Sequence, residues 1–174
     1  NGTAMHIYDI ATDTWATGAT APASAGRVTS QFYNGKIYCP EYNGTAMHIY
    51  DIATNTWATG ATAPASVSRR TSQLYNGRIY CPQDGGTAMH IYDIASDTWI
   101  VGANALAPMY PSTSALYKDK LYVTSRNTLQ VYDISSNSWI LGAAPTEVDR
   151  RTSQLYNGKI YCIRENDAIL DIYG

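Results

Sequence analysis

The chain has 174 residues, 45% of them hydrophobic and 15% charged, with a formal net charge of −2. That composition excludes a disordered polyelectrolyte, and the charge gives no reason to expect nucleic acid or an anionic membrane as a partner. No apolar run approaches the ~20 residues that a membrane-spanning helix requires. The aromatics are lopsided, with fifteen Tyr, four Trp and one Phe. Aromatic and β-branched residues favour pleated, half-buried surfaces, and no stretch keeps a 3.6-residue apolar rhythm, so the composition reads all-β.

Residues 5–15, Met-His-Ile-Tyr-Asp-Ile-Ala-Thr-Asp-Thr-Trp, return at 47–57 and 89–99, and loosely at 129–139. The tyrosines fall at Tyr8, Tyr50, Tyr92 and Tyr132 and the tryptophans at Trp15, Trp57, Trp99 and Trp139, a period of 42 residues twice and then 40. A fixed period of this length marks a repeat architecture, in which one unit cannot bury its apolar face alone and stacks on its neighbours. Residues 1–42 and 43–84 differ at eight positions only. Recent amplification and deliberate design would each produce units this alike, and near-identical units risk slipping register or swapping between chains.

In chain order, residues 1–16 carry a third and a fourth strand. Three whole units follow between 27 and 140. The second is the clearest: a strand over 69–75, an Asn76-Gly77 turn, a strand over 78–81, a connection over 82–86, a third strand over 87–92, a polar turn over 93–97 and a fourth strand from Thr98-Trp99. Asn-Gly between two extended runs is the strongest short hairpin signal, because a type I′ turn needs positive φ at both central residues. The same dipeptide stands at Asn34-Gly35 and Asn157-Gly158, and Lys118-Asp119, a weaker turn former, replaces it in the third unit. Residues 150–173 supply a first, a second and a surplus third strand. Four antiparallel strands per ~42 residues is the footprint of one propeller blade.

These residues resemble the kelch repeat: Tyr-Asp followed by Trp in each copy, an Arg before the first strand at Arg27, Arg69 and Arg150, and Ile37-Tyr38, Ile79-Tyr80, Leu121-Tyr122 and Ile160-Tyr161 in the second strand. The usual Gly-Gly pair after that strand is replaced by Glu41-Tyr42, Gln83-Asp84, Ser125-Arg126 and Arg164-Glu165, so the loop takes another path. The resemblance implies a single β-propeller domain over 1–174, or part of a larger one, built from four kelch-like repeats. Strands from 1–16 would complete the blade begun by 150–173. Three arrangements stay open: a closed four-blade ring, a larger ring completed by self-association of two or more chains, and a fragment of a longer array. The start at Asn1 without a Met, and the surplus strand, favour a piece of something bigger.

The candidate residues divide by position. Cys39, Cys81 and Cys162 occupy one repeat position, with Val123 in the remaining copy, which predicts buried free thiols rather than disulfides. His6, His48 and His90 sit on third strands, about 10 Å outside the innermost at ~4.8 Å per strand, too far apart to converge on a metal. Asp9, Asp51, Asp93 and Asp133 are turn residues by position. Tyr33, Tyr75, Tyr117 and Tyr156, beside the first turn, are the tyrosines expected at the surface, where stacking on a sugar or peptide is conceivable.

Arg27, Arg69, Arg70, Arg150 and Arg151 are expected to ring the face that carries the loops from strand two to three. Tyr42, Asp84, Arg126 and Arg164 sit just outside them. Guanidinium forks suit carboxylate or phosphate partners, and pairing of each Arg within its own blade is the competing expectation. Kelch proteins commonly receive an acidic peptide on this face. The expectation is a non-enzymatic binding or scaffold module for a protein, peptide or glycan, without cofactor or metal. An assembly unit is the alternative. An oxidase- or epimerase-type propeller enzyme is the other, weakened because near-identical blades deliver the same residue four times where catalysis needs unlike ones.

Overall fold

The computed structural model describes residues 4–22, 29–41, 44–67, 71–110, 113–125, 127–144, 153–163 and 170–173. Every regular element among them is a β-strand. Five sheets follow one another along the chain, and each is an antiparallel meander in sequence order. The first has two strands, β1 (Ala4–Asp9) and β2 (Thr14–Thr20). The second contains β3 (Gln31–Tyr33), β4 (Lys36–Pro40), β5 (Met47–Asp51) and β6 (Thr56–Thr59). The third contains β7 (Gln73–Tyr75), β8 (Arg78–Pro82), β9 (Met89–Asp93) and β10 (Thr98–Val101). The fourth contains β11 (Thr113–Tyr117), β12 (Lys120–Ser125), β13 (Thr128–Asp133) and β14 (Ser138–Leu141). The last has three strands, β15 (Ser153–Tyr156), β16 (Lys159–Ile163) and β17 (Leu170–Tyr173).

The turns form for local reasons. Asn34 and Gly35 take φ of 51° and 76°, Asn76 and Gly77 47° and 71°, and Asn157 and Gly158 47° and 72°. These are the left-handed conformations a two-residue hairpin demands, and Asn and Gly reach them at least cost. At Lys118-Asp119 the left-handed residue is Lys118, at φ 56°. The turn between third and fourth strands is built on an aspartate. Asp51 Oδ1 accepts from the Ala53 and Thr54 amides at 3.0 and 3.1 Å, and Asp93 Oδ1 from those of Ala95 and Ser96 at 3.1 and 3.3 Å. Asp9 and Asp133 do the same, as the Asx-turn reading of these positions requires.

The second strands carry the core. Ile79 and Cys81 are fully buried, and Leu121 and Val123 fill the equivalent places one sheet on. Met47 and Met89, at matching positions on β5 and β9, are also fully buried. One cluster joins Tyr38 and Met47 of the second sheet to Ile79, Cys81 and Tyr92 of the third. The next joins Tyr80, Met89 and Ile91 of the third to Leu121, Val123, Tyr132 and Trp139 of the fourth. The hydrophobic core therefore lies between successive sheets, and no single sheet has one of its own.

The three seams that join the first four sheets repeat one set of polar contacts. Between the second and third sheets, Tyr92 donates its hydroxyl to Asp97 Oδ1 at 2.6 Å, and the same oxygen accepts from the Ala61 amide at 2.7 Å. Trp99 Nε1 donates to the Ala61 carbonyl at 2.8 Å. Tyr50, Asn55 and Trp57 grip Ala19 in the same way, and Tyr132, Asn137 and Trp139 grip Ala103. Each Tyr also meets its Trp at ring-centroid distances of 5.0–5.1 Å, tilted as aromatic pairs prefer. At the opposite edge, Gln31 Nε2 donates to the Ser72 carbonyl and Gln73 Nε2 to that of Ser114, both at 2.9 Å.

Candidate functional site

An antiparallel meander has two ends, one carrying the turns within hairpins and the other the loops between second and third strands. At the loop end the expected binding residues Arg27, Tyr42, Arg69, Arg70, Arg126, Arg150, Arg151 and Arg164 lie outside the described residues. Asp84 is described and is half-buried. The base of its loop is built like a clasp. Gln83 donates its amide to the Ala88 carbonyl at 2.9 Å, and its side-chain Oε1 accepts from the Ala88 amide at 3.3 Å. Glu41 and Ala46 make the matching pair at 2.9 and 3.3 Å. A Cβ on Gly86 would stand 2.2 Å from Gln83 Oε1, so a larger residue there would have to displace the Gln83 side chain from the clasp. Gly85 donates to the Met109 carbonyl and Met109 to the Gly86 carbonyl, both at 2.7 Å, tying the loop to the segment that enters the fourth sheet.

The turn end presents a cleft of about 630 Å³. Its walls include Tyr33 and Asn34 from one hairpin turn, Tyr75 and Asn76 from the next, and the apolar side chains of Ile94 and Ile134. Among the described residues no hydrogen bond is made by the side-chain amide of Asn34 or Asn76. The Arg78 guanidinium crosses the wall to Asp93 Oδ2, with Nε at 2.9 Å. That bond holds Asp93 below the usual carboxylate range, helped by the Ser96 amide, and raises Arg78. Lys36 pairs with Asp51 at 2.8 Å and Lys120 with Asp133 at the equivalent places. The cleft is thus electrically neutral, with phenol faces and amides that suit a sugar ring or an uncharged peptide better than an anion. Of the tyrosines expected at the surface, Tyr33, Tyr117 and Tyr156 are exposed, and Tyr75 is half-buried in the cleft wall.

The remaining candidates are buried. Cys39, Cys81 and Cys162 are buried and none is in a disulfide, and burial pushes Cys39 up to about 11 and Cys81 to about 12. Thiols held protonated in this way are packing groups rather than nucleophiles. His48 and His90 lie 3% and 2% exposed, each opposite a cysteine across the strand pair, and neither ring nitrogen has a hydrogen-bond partner among the described residues. Burial lowers the His90 pKa. His6, on β1, is exposed. Among the described residues no group of three His, Cys, Asp or Glu side chains is placed to hold a metal ion.

Sequence reasoning treated Asp97 and its equivalents as turn formers and did not find their grip on the preceding sheet. The signal was present in Asp13, Asn55, Asp97 and Asn137, which keep the same period as the tryptophans. All four are left-handed, with φ of 49–55°, which a turn alone would explain. A scan against protein-family models matches none to this chain, and a search of curated proteins finds no relative.

Proposed function

We propose that the chain is a non-enzymatic, kelch-like scaffold of the β-propeller type, which recruits a partner on its loop-bearing face. The observation that carries this reading is the clasp at Glu41 and Gln83. A loop whose base is fixed by its own first side chain, and again by Met109, presents its tip without losing much conformational entropy on binding. Arg27, Arg69, Arg70, Arg150 and Arg151, with Arg126 and Arg164 beside them, supply guanidinium groups for an acidic peptide, and Tyr42 and Asp84 supply flanking contacts. The neutral cleft at the turn end adds a second surface, suited to a sugar or an uncharged peptide.

The titratable groups support a binding role over a catalytic one. Asp51, Asp93 and Asp133 are each tied to a cation and to turn amides, and the Cys39 and Cys81 thiols are buried and held protonated. The test is capture of a fluorescent Glu-rich peptide by the wild type and by the double variant Arg69→Ala, Arg150→Ala. Capture should fall at least tenfold while the melting temperature stays within a degree or two. A variant that captures equally well, or one that unfolds, contradicts recognition by these arginines.

A second reading, that the chain is a unit of a larger assembly, is favoured by one observation. Tyr8 and Trp15 of the first sheet are 43% and 70% exposed, whereas Tyr50, Tyr92 and Tyr132 at the same repeat position are at most 2% exposed. An aromatic pair built like its buried counterparts, with centroids 5.0 Å apart, is a surface made to be covered.

A further inference from the structure

We infer that the turn-end cleft binds a short neutral oligosaccharide, seated between the first hairpin turns of the second and third sheets. This deepens the binding-module reading above, on whose second surface it rests, by committing that surface to one class of ligand. The cleft's volume of about 630 Å³ lies within the ~300–1,000 Å³ range of small-ligand sites. Two consecutive units build it in step. Tyr33 lies across the following hairpin, where a Cβ on Gly77 would stand 3.7 Å from its Oη. Tyr75, one repeat on, is packed from behind by the core cluster between the third and fourth sheets, which Ile134 also abuts. The two phenols are therefore set by the fold before a ligand arrives, and little side-chain freedom remains to be lost on binding.

Three features select a sugar. Among the described residues the side-chain amides of Asn34 and Asn76 and the hydroxyls of Tyr33 and Tyr75 make no hydrogen bond. Each amide both donates and accepts, and so does each phenol, which matches the two-way chemistry of a sugar hydroxyl. The charges cancel, because Arg78 Nε holds Asp93 Oδ2 at 2.9 Å and leaves neither sign over for an ionic ligand. Ile94, Ile134 and the phenol rings offer an apolar wall to the C–H face of a pyranose. A peptide finds less here. Main-chain recognition needs a row of open backbone groups, and the turn at this cleft uses its own, the Ile94 amide donating to the Gly77 carbonyl at 3.1 Å. Along the chain these turns form three consecutive pairs, and 34 with 76 is the one that joins two asparagines. At the next turn Lys118 takes the asparagine's place, and its ammonium lies 5.3 Å from the centroid of the Tyr117 ring, so a cation sits over the phenol that corresponds to Tyr33 and Tyr75.

The test is an array of short neutral gluco-, manno-, galacto- and N-acetylglucosamine oligosaccharides probed with the full chain. The tightest binder is then titrated into isotope-labelled protein while the Asn34 and Asn76 side-chain amide signals are followed by NMR. At least one glycan should bind and shift both amides. Asn34→Asp with Asn76→Asp should lower its affinity at least tenfold in a folded protein, since Asp13 and Asp97 already hold the left-handed conformation in this chain at φ of 55° and 50°. Tyr33→Ala, at an exposed position, should do the same without touching the turns. An array without a binder, a binder that leaves either amide unmoved, or variants of unchanged affinity overturn the site. Shifts of both amides with an uncharged peptide and with no glycan assign the cleft to a peptide and overturn the saccharide. The Glu-rich peptide, offered to the wild type in parallel, keeps the two surfaces apart. A chain that captures the peptide but no glycan loses this site alone, and one that binds a glycan but not the peptide loses recognition by the loop-end arginines alone.

Discussion

Trp99 Nε1 donates to the carbonyl oxygen of Ala61 at 2.8 Å, joining two sheets across 38 residues of sequence. The bond closes a small circuit, because the Ala61 amide is itself bonded to Asp97, which also accepts from Tyr92. A repeat unit here has no core of its own, so these circuits determine how units stack, and stacking determines which residues come to share a surface.

Asp97 accepts two hydrogen bonds with one oxygen from a left-handed backbone. Asn occupies the same place at Asn55 and Asn137 with the same two donors. Asp97→Asn should therefore leave the urea midpoint nearly unchanged. Asp97→Ala orphans the Ala61 amide and the Tyr92 hydroxyl and puts a Cβ-bearing residue without polar recourse at φ 50°, which should cost about 2–4 kcal/mol.

Two glycines should respond to alanine for different reasons. A Cβ on Gly102 would stand 2.6 Å from Tyr132 Oη and 3.1 Å from Asn137 Oδ1, an overpacking that costs about 1–3 kcal/mol. A Cβ on Gly35 meets nothing within 4 Å, but its φ of 76° strains any L side chain, at about 1 kcal/mol. In a Tyr132→Phe background the Gly102→Ala penalty should shrink and the Gly35→Ala penalty should not. Equal penalties in both backgrounds would contradict the packing at this seam.

The buried thiols should be silent. With Cys81 pushed up to about 12 from an ordinary 9.0, its thiolate is roughly a thousandfold scarcer at pH 8 than in an unfolded chain. Iodoacetamide at that pH should leave Cys39 and Cys81 unmodified in the folded protein and alkylate both in urea. Cys81→Val, for which Val123 is the precedent in the fourth sheet, should fold with a stability change under about 1.5 kcal/mol.

Acid should weaken the protein in two separate windows. Burial holds the folded His90 pKa below its ordinary 6.5, so the unfolded chain takes up a proton first. Stability is then full above about pH 6.5 and falls as the pH drops below that value. Asp51, Asp93 and Asp133 are held below their ordinary 3.8, and what they contribute is lost only as the pH falls beneath that. His90→Gln should flatten the first window and spare the second, since Gln130 fills that position in the fourth sheet with bonds to the Leu106 amide and Ala107 carbonyl. An unchanged profile between pH 6.5 and 5 would contradict the buried neutral imidazole.

What the sequence made legible was local. Asn-Gly at 34, 76 and 157 gave the hairpins, the aspartates at 9, 51, 93 and 133 gave the second turns, and the exchange of cysteine for Val123 gave the thiols their packing role. The seams were not legible, although their residues are periodic. Asp97 and Gly102 have ordinary local reasons to be where they are, and their second partners lie about one repeat away. Periodicity shows that a residue matters in every unit, but it does not distinguish a contact within a unit from one between units. The loop-end arginines were selected by chemistry and topology, and among the residues chosen with them the described structure shows Asp84 above a fixed loop base.

The most direct single measurement is a crystal structure of the full chain in its solution assembly. It should show four-stranded units packed flank to flank as wedges about one axis, with Trp15 covered. Sheets laid end to end without a common axis, or a Trp15 still exposed, would contradict it.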